Sequence, residues 1–285
     1  MEPRTPSSRT RITPTLALLV TITLVAATPV SGRTASDRPA AAGSDEFVAE
    51  DVSFRNGDRI VEGTVFAPAG QGTGRPGIVL VPGAGEGVSR EIYQPHAEAF
   101  ARAGIVALAY DKRTTADGYS PFEASITDLA DDAIAGVRLL RDRPDVDPDL
   151  VGVHGHSEGG WTVAVAGVRS PDVSFVVASA ASALPPEQTQ VWMNRTQLRH
   201  AGVGESLLWP LGENLTRHVV GAGKFRLAGH DPIPFLERLD QPVLGVFARY
   251  DVPLLQARAS GTSARRSNVA ATPTTRFASS TQPTT

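Results

Sequence analysis

The sequence predicts an α/β architecture, a mainly parallel sheet with helices on both faces. Two observations carry this expectation. Gly77 to Val81 (GIVLV), Ile105 to Tyr110 (IVALAY) and Leu150 to His154 (LVGVH) are short apolar runs without the alternation of a half-exposed strand, which marks strands buried on both faces. Between them, Glu91 to Ala103 and Phe122 to Arg141 read as helices. Strand, helix, strand, helix, strand at this spacing requires right-handed crossovers, and ligands in such sheets bind beyond the carboxyl ends of the strands.

Taken in order, the first 32 residues read as an address. Arg4, Arg9 and Arg11 precede an uncharged run from Thr15 to Ala27, and Thr28 to Gly32 supplies small residues and a proline, the succession of a secretory signal. As a helix that run rises only about 20 Å, short of the roughly 30 Å hydrocarbon core, so export with cleavage near Gly32 is expected and no stable membrane span afterwards. Residues 33–45 read as a linker and 46–253 as the folded domain. Phe47 to Phe54 and Ile60 to Phe66 alternate around Asn56-Gly57, the pattern of an antiparallel hairpin. Gly104 stops the first helix, the Pro144/Pro148 segment ends the second, and Trp161 to Val168 reads as a third. Over about 180–240 the alternation breaks down. Pro185-Pro186, Trp192, Leu207-Leu208-Trp209 and the helix-like pieces Gln188 to His200 and Leu215 to Val220 suit either a small cap insertion over the strand ends or a plain surface subdomain. Pro242 to Ala248 (PVLGVFA) reads as a late strand.

Composition narrows the chemistry. With no Cys there is no disulfide framework, thiolate metal cluster or cysteine nucleophile. A formal charge of −3 offers no basic field for phosphates, so a small-molecule partner is expected and a nucleic acid is not. Nothing in the sequence implies a metal or an organic cofactor.

Gly155-His156-Ser157-Glu158-Gly159-Gly160-Trp161 follows the strand at Leu150. Its Gly-x-Ser-x-Gly core, between a buried strand and a helix, is the pattern of a nucleophile elbow, in which the serine occupies a strained turn. The plain alternative is a Gly/Ser turn without chemistry. Ser157 would attack a carbonyl carbon, and the helix N-terminus would favour the developing negative charge. Val81-Pro82-Gly83-Ala84-Gly85 sits at the equivalent place after the strand at Gly77. An oxyanion hole needs the N–H of the residue after the nucleophile, here Glu158, and a second from a loop close to the substrate, for which Ala84 is preferred and Gly83 comes next.

These two motifs, with Tyr110-Asp111-Lys112-Arg113 and Asp128-Leu129-Ala130-Asp131-Asp132, resemble the α/β-hydrolases, in particular exported bacterial hydrolases of the dienelactone hydrolase and prolyl-oligopeptidase-like group. The resemblance runs from about Phe47 to Pro253. It implies a serine nucleophile, an acid on a loop after a late strand and a histidine after the last strand. Arg249-Tyr250-Asp251-Val252-Pro253 matches the acid loop, so the resemblance makes Asp251 the acid. For Asp111, Lys112 and Arg113 an ion-pair cluster that fixes loops is expected.

The histidine is where the pattern fails. Histidines stand at 96, 154, 156, 200, 218 and 230, and none follows Asp251. His156 should point away from the serine hydroxyl, His154 belongs to a buried strand, and His230 could substitute as base only by an unusual route. Leu254 to Thr285 is more than half Ala, Ser and Thr, with four arginines and no acid, so the last strand and helix are expected to be missing and this segment to be a disordered or aberrant tail. Two function classes follow: a secreted serine hydrolase of carboxylic esters or thioesters, acting through a Ser157 acyl-enzyme and impaired for want of a base, or an inactive α/β-hydrolase-like protein that at most binds a small ligand. Export has a direct check. N-terminal sequencing of protein recovered outside the cytoplasm should read from about Arg33, and an intact Met1 on a cytosolic product would contradict it.

Overall fold

The computed structural model describes residues 46–84, 88–113, 124–221 and 227–246. The expected secretory signal (1–32) and linker (33–45), Gly85, Asp251 and the expected tail (254–285) lie outside the described residues. Among the described residues, seven strands form one sheet in the order β1-β2-β4-β3-β5-β6-β7. β1 (Phe47–Asn56) and β2 (Arg59–Pro68) make the expected antiparallel hairpin, and β2 also pairs antiparallel with β4 (Val106–Tyr110). β3 (Arg75–Val81), β5 (Val146–His156), β6 (Val176–Ser179) and β7 (Val243–Val246) continue from β4 through parallel pairings. In the hairpin turn the positive φ falls on Gly57, at 60°, while Asn56 stays in the strand opposite Arg59.

The apolar runs are uninterrupted because both faces of the central strands are covered. Val79, Val81, Leu108 and Tyr110 join one core with residues of α2 (Ile126–Arg141) and α3 (Glu158–Arg169). Ile78, Leu80, Ala107 and Ala109, the alternate positions, join another with Ala97 and Ala101 of α1 (Gln94–Arg102). The fold is therefore the expected mainly parallel sheet with helices on both faces.

The boundaries differ from expectation for physical reasons. Residues 90–92 form a 3-10 turn, and α1 begins only at Gln94, with a proline in its first turn, a position that needs no N–H. α2 starts at Ile126, where Ser125 caps it: Ser125 Oγ accepts from Asp128 N–H at 3.1 Å and Asp128 Oδ2 accepts from Ser125 N–H at 2.9 Å, a reciprocal capping box. β6, only four residues long, is a strand that the sequence pattern did not reveal.

The 180–240 region holds a helical hairpin, α4 (Pro186–His200) and α5 (Glu205–Gly221), and a short α6 (Ile233–Leu236). α5 begins ten residues before the expected Leu215, because Pro210 lies inside it and reads in sequence as a stop. Leu208, Gly212 and Thr216, at i+4 spacing, are its buried stripe, and Arg195 of α4 lies over the faces of both Trp192 and Trp209, 4.2 Å from each ring centroid, while the two indoles meet edge to face. The four residues of β7 are exposed. Among the described residues, no helix is long and apolar enough to cross a membrane.

The capping box gives a stability prediction. Ser125→Ala should cost about 0.5–2 kcal/mol in urea unfolding, the usual loss for an N-cap, and an unchanged midpoint would mean that α2 does not depend on this cap.

Candidate functional site

β5 ends at His156 and α3 begins at Glu158, so Ser157 alone makes the turn between them. Its backbone sits at φ 56° and ψ −117°, a strained conformation for a residue with a Cβ, of the kind that costs on the order of 1–3 kcal/mol. The turn is held from both sides: Ser157 N–H donates to Ser179 C=O at 2.9 Å, and Ser157 C=O accepts from Gly160 N–H at 2.9 Å. Glycine is obligatory around it. A Cβ on Gly155 would lie 2.1 Å from the Gly159 carbonyl oxygen, and one on Gly159 would lie 2.6 Å from that of Val81. The serine side chain is exposed at the carboxyl end of the sheet, in front of the N–H groups that open α3.

The loop after β3 is drawn onto this turn. Gly83 packs so closely that a Cβ there would be 2.9 Å from His156 C=O and 3.6 Å from Ser157 Cβ. Gly83 N–H donates to Tyr93 Oη at 2.8 Å, and Gly83 C=O accepts from Lys112 Nζ at 2.9 Å. The same ammonium lies 2.6 Å from Glu158 Oε1. Lys112 is 2% exposed and Glu158 6%, so this is a buried ion pair, and removing one partner of such a pair costs about 3–5 kcal/mol. Burial, ahead of the lowering effect of the Gly83 hydrogen bond, holds the Tyr93 hydroxyl above its usual range, which keeps it a neutral phenol. Ser157, Glu158 and the Gly83–Ala84 peptide are thus brought together. The sequence reading placed Glu158 there for its backbone alone; its buried side chain and Tyr93 were missed.

The neighbouring charges do fix loops. Arg113 reaches Asp132 at 2.6 Å, Asp132 also accepts from Asn56 Nδ2 at 2.7 Å, and Asp111 accepts from the Arg90 backbone N–H at 2.8 Å.

The structure does not bring a histidine to Ser157: among the described residues, none of the six hydrogen-bonds its hydroxyl. His156 is exposed, and its Nδ1 lies 3.5 Å from Ser179 Oγ on β6. His230 stacks on Phe235 with ring centroids 5.3 Å apart, and its Nε2 is buried without a partner. Burial lowers its pKa against the opposing pull of Asp231 and Glu187. Asp251 lies outside the described residues. The strand leading toward it is anchored near the turn, because Ala180 N–H, next to Ser179, donates to Val246 C=O at 2.8 Å. Among the described residues, no group of three His, Asp or Glu could hold a metal. The cavity of about 410 Å³ lined by Pro68, Gln71, Arg75 and Arg143 opens at the amino ends of the parallel strands, away from Ser157.

His154 is only half satisfied. Its Nε2 meets Ser179 Oγ at 2.9 Å, whereas Nδ1 is buried without a partner. Burial first, then the nearby His96 and His156, lower its pKa from 6.5 to about 4. A histidine depressed in the fold binds its proton more readily when unfolded, so this contribution to stability is complete above about pH 6.5 and is lost as pH falls toward 4. Thermal melts across that window should show His154→Phe losing less stability on acidification than the native chain. Equal losses would mean that His154 takes up its proton equally readily in the folded and unfolded states.

Comparison with known proteins agrees with this architecture. The family model described as serine aminopeptidase, S33, matches residues 73–216. Thiohydrolase apmlB of Arthrinium phaeospermum is 30% identical over 141 residues, which are 48% of this chain and 45% of that protein, so the chain spans less than half the length of this curated relative. Among solved structures, the α/β-hydrolase GrgF from Penicillium sp. sh18 superposes with a TM-score of 0.55 at 18% identity, covering 75% of this chain and 84% of that one. A hypothetical protein, PA2218 of Pseudomonas aeruginosa, gives 0.53 at 17% identity, covering 74% and 79%. At those identities the superpositions speak for the fold alone. The family match takes in just over half of the 285 residues and includes β3, β4, β5 and the Ser157 turn, and the chain belongs to the serine aminopeptidase S33 family of α/β-hydrolases.

Proposed function

We propose that the protein is a secreted serine hydrolase that cleaves thioesters or activated carboxylic esters through an acyl-enzyme on Ser157. The observation that carries this is the strained Ser157 turn, at φ 56° between β5 and α3, with the Gly83–Ala84 peptide and the Glu158 N–H packed beside it. In this reading Ser157 Oγ attacks the acyl carbon as its proton passes to solvent water, the Ala84 and Glu158 N–H groups receive the oxyanion, collapse breaks the bond to the thiolate or aryloxide, and water then hydrolyses the acyl-Ser157 ester to free acid and serine. Asp251 is the acid that the family resemblance assigns. The N-terminal succession of arginines, apolar run and small residues supports export.

The choice among acyl substrates follows from the leaving group. A peptide amine must be protonated as it departs, the task of a histidine general acid, and no histidine bonds Ser157 among the described residues. A thiolate, whose conjugate acid has a pKa of about 8.5, departs without that help. Thioesters and aryl esters are therefore the substrates that this arrangement serves best, and the name of the thiohydrolase relative points the same way. For lack of a bonded base, acylation is slow. Loss of one triad member still leaves about 10³ to 10⁴-fold acceleration over water, and this is the scale expected here.

A fluorophosphonate probe should label the chain slowly, and Ser157→Ala should abolish the label. Rapid labelling that also disappears in a His230 variant would identify His230 as the base. Absence of both labelling and Ser157-dependent thioester cleavage would favour the second reading, a ligand-binding member of the fold.

A further inference from the structure

Building on the reading of Ala84 and Glu158 as oxyanion donors, we propose that Lys112 is a positioning residue that aims the Ala84 N–H and ties its loop to Glu158. The Gly83 carbonyl and the Ala84 N–H belong to one peptide unit, and in a planar trans peptide these two groups point in opposite directions. The described chain contains no cis peptide. Lys112 Nζ holds the Gly83 carbonyl at 2.9 Å, on the buried side, and so turns the Ala84 N–H outward. The neighbouring candidate, Gly83 N–H, is already engaged by Tyr93 Oη at 2.8 Å, which leaves Ala84 as the donor among the described residues of this loop.

The second bond of the ammonium, 2.6 Å to Glu158 Oε1, reaches the residue whose own N–H is the other donor. One cation thus bonds the peptide that carries the first donor and the side chain of the residue that carries the second, 74 positions apart in the chain. Because Lys112 and Glu158 are 2% and 6% exposed, water is excluded as a substitute donor to the Gly83 carbonyl. A cation on the carbonyl also polarises the peptide and makes its N–H the stronger donor. Gly83 lies so close to the nucleophile turn that a Cβ on it would meet His156 C=O, so the peptide Lys112 orients stands directly beside Ser157.

A structural ion pair and a positioning residue make different predictions for a neutral pair. Lys112→Met alone strands a buried carboxylate and should destabilise the fold, which decides nothing. Lys112→Met combined with Glu158→Leu removes both charges, and replacement of a buried pair by apolar residues is commonly neutral or stabilising, so this chain should fold. It nevertheless leaves the Gly83 carbonyl without its donor. Acylation by p-nitrophenyl acetate should then fall about tenfold to several hundredfold, with KM within about twofold, because the oxyanion contact forms only in the transition state. A crystal structure of the same variant should show the Gly83–Ala84 peptide rotated. An unrotated peptide overturns the proposal, as does a rotated peptide with an unchanged rate in an enzyme that depends on Ser157. Should native turnover prove independent of Ser157, the hydrolase reading fails, and the orientation of the peptide still decides the role of Lys112.

Discussion

A buried ammonium is the constraint on which the site depends. Lys112 Nζ touches Gly83 C=O and Glu158 Oε1, so it ties the loops that follow β3, β4 and β5 into one unit. An ion in that position loses its hydration, and two short bonds to groups that are themselves buried are what offset the loss. Each of the three loops is otherwise polar, glycine-containing or strained. Each loop also has bonds of its own, Gly83 N–H to Tyr93 and Ser157 N–H to Ser179 among them, and Lys112 is the side chain that joins all three.

The sheet makes such convergence possible. In the order β4-β3-β5, three parallel strands lie side by side and end at the same edge, which brings residues 82–84, 112 and 157–158 together across long stretches of chain. Burial on both faces keeps those strand ends in register: alternate residues of β3 and β4 feed two separate cores, one against α2 and α3 and one against α1. β6 then contributes through its backbone, with Ser179 C=O holding the Ser157 N–H and Ala180 N–H holding the end of β7. The strain at Ser157 is thereby carried by hydrogen bonds from neighbouring strands and by glycine contacts within the turn.

Much of this was legible in the sequence because it follows from period and punctuation. Uninterrupted apolar runs located β3, β4 and β5, Asn56-Gly57 located the hairpin, and the Gly-x-Ser-x-Gly pattern located the turn. What was not legible depends on pairing at a distance. β6 is four residues long and takes its order from flanking strands. Pro210 disguised the first half of α5, whose stability comes from packing against α4 around Arg195. Lys112 was read as one member of a loop-fixing cluster. Its particular partners, a glycine carbonyl 29 positions before it and a glutamate 46 positions after it, leave no trace in local composition. His154 belongs to a buried strand, as its apolar neighbours indicate, but nothing local tells that its Nδ1 has no partner in the fold.

The most direct test of the account is to trap the covalent intermediate. Incubation with a short-chain acyl thioester, acid quenching and peptide mapping by mass spectrometry should place a single acyl group on the peptide that contains Ser157, accumulating slowly and absent from Ser157→Ala. Thioester hydrolysis that proceeds with Ser157 unmodified, or an acyl group found only on another residue, would contradict the claim that this strained turn presents the nucleophile.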